Sequence, residues 1–212
     1  MIDIIPGIFE KEWQTIEDRI QLVAPQVEWV QIDVADNTLV PNTSFLEIKE
    51  FINVSEFAKH ISLEAHLMVA KPEMYIKSLV DAGFKRIIAH VECNDPRLFL
   101  EQAKYEHVEV GIAIDGPSEL ELVEPFLDHV DTVLVMTIEA GFSGQEFMPD
   151  TVAKIQRIHE NFPDLPIEVD GGINDKSGRI AREAGATRLV STSYLFNNPD
   201  GIAEAIDALK NG

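Results

Sequence analysis

Cysteine, basic side chains and long apolar runs are all scarce in this sequence, and each scarcity excludes something. Cys93 is the only cysteine, so no disulfide can close within the chain and a thiolate metal cluster within one chain is ruled out. A reducing, cytoplasmic location is expected. Lys and Arg number 17 against 37 Asp and Glu, a net charge of −20, which opposes binding to nucleic acid or to an anionic membrane. No stretch approaches the ~20 apolar residues of a membrane helix, and Met1-Ile2-Asp3 opens with neither a basic nor a long apolar leader. Neither nucleic acid nor a membrane is therefore expected as a partner.

What is present is a regular alternation. Short, mostly apolar, β-branched runs occur at Asp3 to Pro6, Trp29 to Asp33, Leu63 to His66, Arg86 to His90, Val108 to Ile114, Thr132 to Met136, Pro166 to Val169 and Arg188 to Ser191. Continuous apolar runs suit parallel strands covered on both faces. The segments between them carry helical spacing, as in Trp13, Ile16, Ile20 and Val23, or Ile202, Ile206 and Leu209. Asp95-Pro96 and Asn198-Pro199 read as caps followed by proline at the first helical position. Gly83 and Gly185 read as helix stops. Eight such pairs, roughly 26 residues each, predict an α/β fold of the (β/α)8 TIM-barrel type, with residues 1–212 as one domain. An open doubly wound sheet, with fewer strands, is the alternative.

In such a barrel the site lies at the C-terminal ends of the strands. The polar residues expected there are Gln31 and Asp33 at the end of the second strand, His66 at the end of the third and Asp170 at the end of the seventh. Strands two and seven face each other across a closed barrel, so their carboxylates can approach one ligand from opposite sides. That suits a base and an acid acting on two faces of a planar intermediate, as in epimerisation beside a carbonyl. His66 with the two carboxylates can also hold a divalent ion, whereas His90-Val91-Glu92 has no clear role beyond support. Three small-residue turns follow consecutive strands: Gly141-Phe142-Ser143-Gly144, Gly171-Gly172 and Thr192-Ser193. Backbone N–H groups there can bind a phosphate despite the overall charge.

These residues resemble the ribulose-phosphate 3-epimerase family from Ile5-Pro6 nearly to the C-terminus. The matching stretches are Ile32 to Asp36 with Val40-Pro41-Asn42, His66 to Val69 with Lys71-Pro72-Glu73, and Ala89 to Glu92. Further on come Val135-Met136-Thr137, Gly141 to Gln145 with Phe147-Met148-Pro149, and Glu168 to Ile173. The resemblance implies a ribulose-phosphate-binding barrel that interconverts D-ribulose 5-phosphate and D-xylulose 5-phosphate through an enediolate. It also implies a divalent ion (Zn, Fe, Mn or Co) on the substrate oxygens. Asp33 and Asp170 would be the acid/base pair and, with His66, metal ligands; the three turns would hold phosphate; Met68 and Met136 would cushion the enediolate. The chain departs from the family at Gln31, where a fourth ligand is histidine, and at Gly7, where a serine contacts substrate. It departs again at Asn37, Glu139-Ala140 and Thr192. A hexulose 6-phosphate epimerase and a non-catalytic sugar-phosphate binder are the rival readings, and a homo-oligomer is compatible with all of them. An Asp-x-Lys, carried by many related aldolases and decarboxylases, occurs nowhere in the chain.

Overall fold

A computed structural model describes residues 2–212. Eight parallel strands close into a barrel in sequence order. They are β1 (Asp3–Ile8), β2 (Trp29–Ala35), β3 (Ser62–Met68), β4 (Arg86–His90), β5 (Glu109–Ile114), β6 (Thr132–Met136), β7 (Ile167–Asp170) and β8 (Arg188–Ser191). β8 returns to β1, with Asp3 opposite Arg188 and Pro6 opposite Ser191. The α-helices are α1 (Trp13–Val23), α2 (Val54–Phe57), α3 (Ile76–Asp81), α4 (Pro96–Lys104), α5 (Thr151–Asn161), α6 (Asp175–Glu183), α7 (Ser193–Phe196) and α8 (Ile202–Asn211). The open-sheet alternative is excluded by the closure.

Strand alternation sorts the side chains into two compartments. On β2, Val30, Ile32 and Val34 join the layer beneath the helices, while Ala35 packs inside the barrel. Gln31 and Asp33 share the inward face with Ala35. On β3, Leu63, Ala65 and Leu67 face outward, and Glu64, His66 and Met68 face in. The outer layer carries the hydrophobic drive: α1 buries Ile16, Ile20 and Val23, and Trp13 meets Phe51 edge-on at 5.2 Å. The interior is more polar. Towards the strands' N-terminal ends, Arg86 lies between Glu64 and Glu168, all three essentially unexposed, with its guanidinium 4.0 Å over the Trp29 ring.

Three expectations change. β2 and β3 each run two residues further than their apolar runs suggested, so Asp33 and His66 lie inside strands and are buried, not on an open rim. The expected helix between β5 and β6 is replaced by 3₁₀ turns at Leu120–Leu122 and Glu124–His129. Pro117 and Pro125 remove backbone donors there and the connection is short. Asn198 does not cap the last helix; its side chain accepts from the Asp200 N–H, and Gly201 takes the cap position at φ 103°. Asp95 does cap α4, accepting from the Leu98 N–H at 3.0 Å, and Gly83 and Gly185 end their helices at φ 93° and 115°.

Candidate active site

One cavity at the C-terminal mouth of the barrel is lined by Asp33, His66, Asp170, the 141–144 turn, Gly171, Gly172, Thr192 and Ser193, with Met68, Met136, Ile138 and Val190 as apolar wall. The structure thus brings together almost every residue singled out in the sequence. Gly7 and Gln31 stand behind this lining. Glu139 is exposed and outside the cavity, so its charge points to solvent.

Asp33 and Asp170 meet at Gln31. Its side-chain amide donates to Asp33 Oδ1 at 2.9 Å and to Asp170 Oδ2 at 2.7 Å. Two N–H bonds from one neutral group thereby hold two carboxyls, from opposite strands, around one point. Burial dominates their acidity. It pushes Asp33 up to about 8, against the Gln31 hydrogen bond, and pushes Asp170 up to about 7 with help from the Asp33 charge, against His66 and Gln31. His66 is forced down to about 3 by burial and by neighbouring His90, and so is neutral at physiological pH.

The sequence reading left His90 and Glu92 without a role; the structure gives them one. His66 Nε2 lies 2.8 Å from His90 Nε2, and His90 Nδ1 lies 3.0 Å from Glu92 Oε2. Burial would raise Glu92, but hydrogen bonds from His90 and the Asp115 N–H hold it at about 2. An ionised Glu92 makes His90 donate from Nδ1, and the neutral tautomer of His90 that does so offers its Nε2 lone pair. His66 then donates from Nε2, leaving its Nδ1 lone pair facing Asp33 Oδ1 at 2.9 Å. The same network reaches the glycine turn, because Asp115 Oδ1 accepts from the Ala140 N–H at 2.8 Å. Asn42, also unassigned in the sequence, donates to the Gly141 carbonyl at 2.8 Å, and Gln145 donates to the Glu139 and Phe142 carbonyls. Only the His90-Val91-Glu92 spacing, two ionisable groups on one strand end, signalled this in advance.

Asp33, His66 and Asp170 each offer one ligand atom, all within 4.8 Å of one another. Two carboxylates and a neutral imidazole with a free lone pair suit a divalent ion. Gln31 fits less directly. Its N–H groups face the carboxylates, and its Oε1 is buried with no hydrogen-bond partner, so the oxygen reaches an ion only if the amide turns over. The cavity lining contains no Lys or Arg. The glycine turns instead carry positive φ: 113° at Gly141, 85° at Gly144, 116° at Gly171 and 65° at Gly172. A Cβ at Gly172 would stand 2.5 Å from the Phe147 backbone nitrogen, so only glycine permits the two turns to approach this closely.

No helix among the described residues is long and apolar enough to cross a membrane. A solved 3-hexulose-6-phosphate synthase from Salmonella typhimurium superposes with a TM-score of 0.75 over 99% of this chain and 97% of that one, at 16% identity, a likeness of fold alone. Ribulose-phosphate 3-epimerase of Schizosaccharomyces pombe is 31% identical over 213 residues, spanning 98% of this chain and 92% of that protein. The enzyme of that name from Chlamydia muridarum is 37% identical over 175 residues, 79% of this chain and 75% of its own. The sequence model of the ribulose-phosphate 3 epimerase family matches residues 3–196, and the chain belongs to that family.

Proposed function

We propose that this protein epimerises D-ribulose 5-phosphate and D-xylulose 5-phosphate at C3, with Asp33 and Asp170 as the proton-transfer pair. The observation that carries the reading is the pair itself: two buried carboxyls from β2 and β7 drawn to one point at the floor of a cavity rimmed by three small-residue turns. Values of about 8 for Asp33 and about 7 for Asp170 leave one proton between them near neutrality. In one direction Asp170 takes the C3 proton from one face, and Asp33 delivers its own to the other; in the reverse direction the roles exchange. The turns at 141–144, 171–172 and 192–193 hold the phosphate through backbone N–H groups, and Met68 and Met136 keep water from the planar intermediate. Asp33, His66 and Asp170 would hold a divalent ion, whose contribution when bound is to polarise the ketone oxygen and lower the acidity barrier at C3.

The test is proton NMR in D2O with metal-supplemented protein and ribulose 5-phosphate. Deuterium should enter C3 as the epimer appears. Exchange without epimer, or neither, refutes the reading, and a preference for a hexulose 6-phosphate would redirect it.

Metal retention tests the role of Gln31. Its amide occupies the space between the carboxylates that an ion would take, so Gln31→His, which adds a donor and removes the bridge, should raise the metal left after dialysis. Elemental analysis finding equal content in both proteins would contradict this account.

A further inference from the structure

Gly7 lies in β1, opposite Gln31 in the register. Its φ is outside the left-handed region, so the backbone there does not demand glycine. Space does. A Cβ on Gly7 would stand 2.7 Å from Thr192 Oγ1 and 2.9 Å from Val190 Cγ1, separations that real Cβ atoms do not show, and 3.7 Å from the Gln31 Nε2 that bridges Asp33 and Asp170. The point where β1 would place a side chain is therefore inside the barrel, beside the bridged carboxyls. The Thr192 hydroxyl has taken it from the end of β8.

We propose that the Thr192 hydroxyl binds a hydroxyl or carbonyl oxygen of the ketose chain near the reacting carbons, and that Gly7 is a glycine to make room for it. The inference rests on the epimerase reading for the identity of the sugar. If Thr192 served only to fill space, valine would do so equally well, at the same size and without a polar group to desolvate. Val190 stands beside it at the Gly7 position, and Ile138, Met68 and Met136 supply further apolar lining of the same cavity. A hydroxyl set among them and beside the two carboxyls is placed to meet a polyol. Phosphate, on the epimerase reading, is held by backbone N–H groups of the three turns and not by this hydroxyl. Thr192 thus has two separable parts: its backbone N–H at the phosphate turn, and its hydroxyl reaching inward towards strand β1.

The test uses the metal-supplemented full chain with four variants: Thr192→Val, Thr192→Gly, Gly7→Ser, and Gly7→Ser with Thr192→Gly. Thr192→Val keeps the shape and the backbone N–H. It should weaken ribulose 5-phosphate, as kcat/KM and as calorimetric Kd, by roughly tenfold, the worth of one hydrogen bond, while inorganic phosphate binds as in the parent. Gly7→Ser alone should fail by overlap with Thr192. In the double variant the serine hydroxyl enters from β1 into the space vacated on β8, and kcat/KM should recover well above both the Gly7→Ser and the Thr192→Gly single variants. Circular dichroism and Tm, read beside each value, identify a variant that has not folded. The proposal is overturned if Thr192→Val binds ribulose 5-phosphate like the parent, if it loses inorganic phosphate in the same proportion, or if the folded double variant is no better than the better of its two singles. The calorimetric contrast between the sugar phosphate and inorganic phosphate decides on Thr192 even if the parent binds without turnover. Failure of turnover by the parent counts against the epimerase reading instead.

Discussion

Asp33→Asn and Asp170→Asn should each lower epimerisation by at least ~10²-fold, the scale on which a positioned acid or base acts. The stereochemistry sets this expectation, because a proton must leave one face of C3 and another must arrive at the opposite face. The structure supplies two carboxyls on opposite strands and no third one in the cavity lining. Each variant keeps one intact side, so solvent exchange of the substrate proton can survive in D2O while epimer formation fails. Metal content has to be measured alongside, since both groups would also be ligands. Stability gives an independent readout on metal-free protein. Both folded-state values, about 8 and about 7, lie above the ordinary 3.8, so the folded protein holds protons that the unfolded chain has released. That stabilisation is complete below about pH 4 and disappears as pH rises through 7 and 8. Asparagine has no charge to bury, and the Tm of Asp33→Asn should therefore gain on the parent steadily from pH 5 to pH 8. Near-normal epimerisation by either metal-loaded variant would end the two-aspartate mechanism, and a Tm difference independent of pH would contradict the burial argument.

Much of this site was legible in the sequence because barrel geometry converts strand order into position. Once eight apolar runs are placed, Asp33, His66 and Asp170 must share one mouth, and the turns after β6, β7 and β8 must adjoin it. What the sequence concealed is depth. A carboxylate or histidine in an apolar run reads as its end, so β2 and β3 looked two residues shorter than they are, although alternation lets both strands continue around a closed barrel with Ala35 and Met68 facing in. The inward face of a parallel strand is not distinguishable from the outward one when both are buried. For that reason Glu64, Arg86 and Glu168 passed as ordinary strand residues. Contacts between distant segments were invisible for another reason. Nothing in the local pattern around Gln31 says that its amide will reach Asp170, or around Asn42 that it will hold Gly141.

Arg86→Met should be the most destabilising single change in the barrel interior, about 3–5 kcal/mol, as for loss of one partner from a buried ion pair. Arg86 is 1% exposed and is in salt-bridge contact with Glu64 and Glu168, both fully buried; the Arg188 charge also acts on both. Burial drives both acids upward, Glu168 well above the ordinary value with the Glu64 charge adding to the effect, and Arg86 opposes it in each case. Glu168, raised the further of the two, is the carboxyl that burial most favours in its neutral form, and Glu64 is the one in direct contact with the guanidinium. Arg86 also donates through Nε to Glu109 at 2.8 Å and covers the Trp29 ring. Methionine approximates the volume but returns none of this, so Glu64 must either sit as a buried charge opposed only by Arg188, which is not in contact with it, or take up a proton. Proton uptake is easier at low pH, and the loss measured by urea denaturation should be smaller at pH 5 than at pH 8. The consequence extends to the site. Glu64 already raises both Asp33 and Asp170 by its charge, and without Arg86 that charge loses its contacting partner. Adding Glu64→Gln and Glu168→Gln to Arg86→Met should recover most of the stability, because neither buried carboxyl is then left without its cation and the remaining partner, Glu109, is partly in solvent. A loss under about 1 kcal/mol for Arg86→Met, or a triple variant no more stable than the single, would mean that the cluster is held by packing and solvent rather than by its charges.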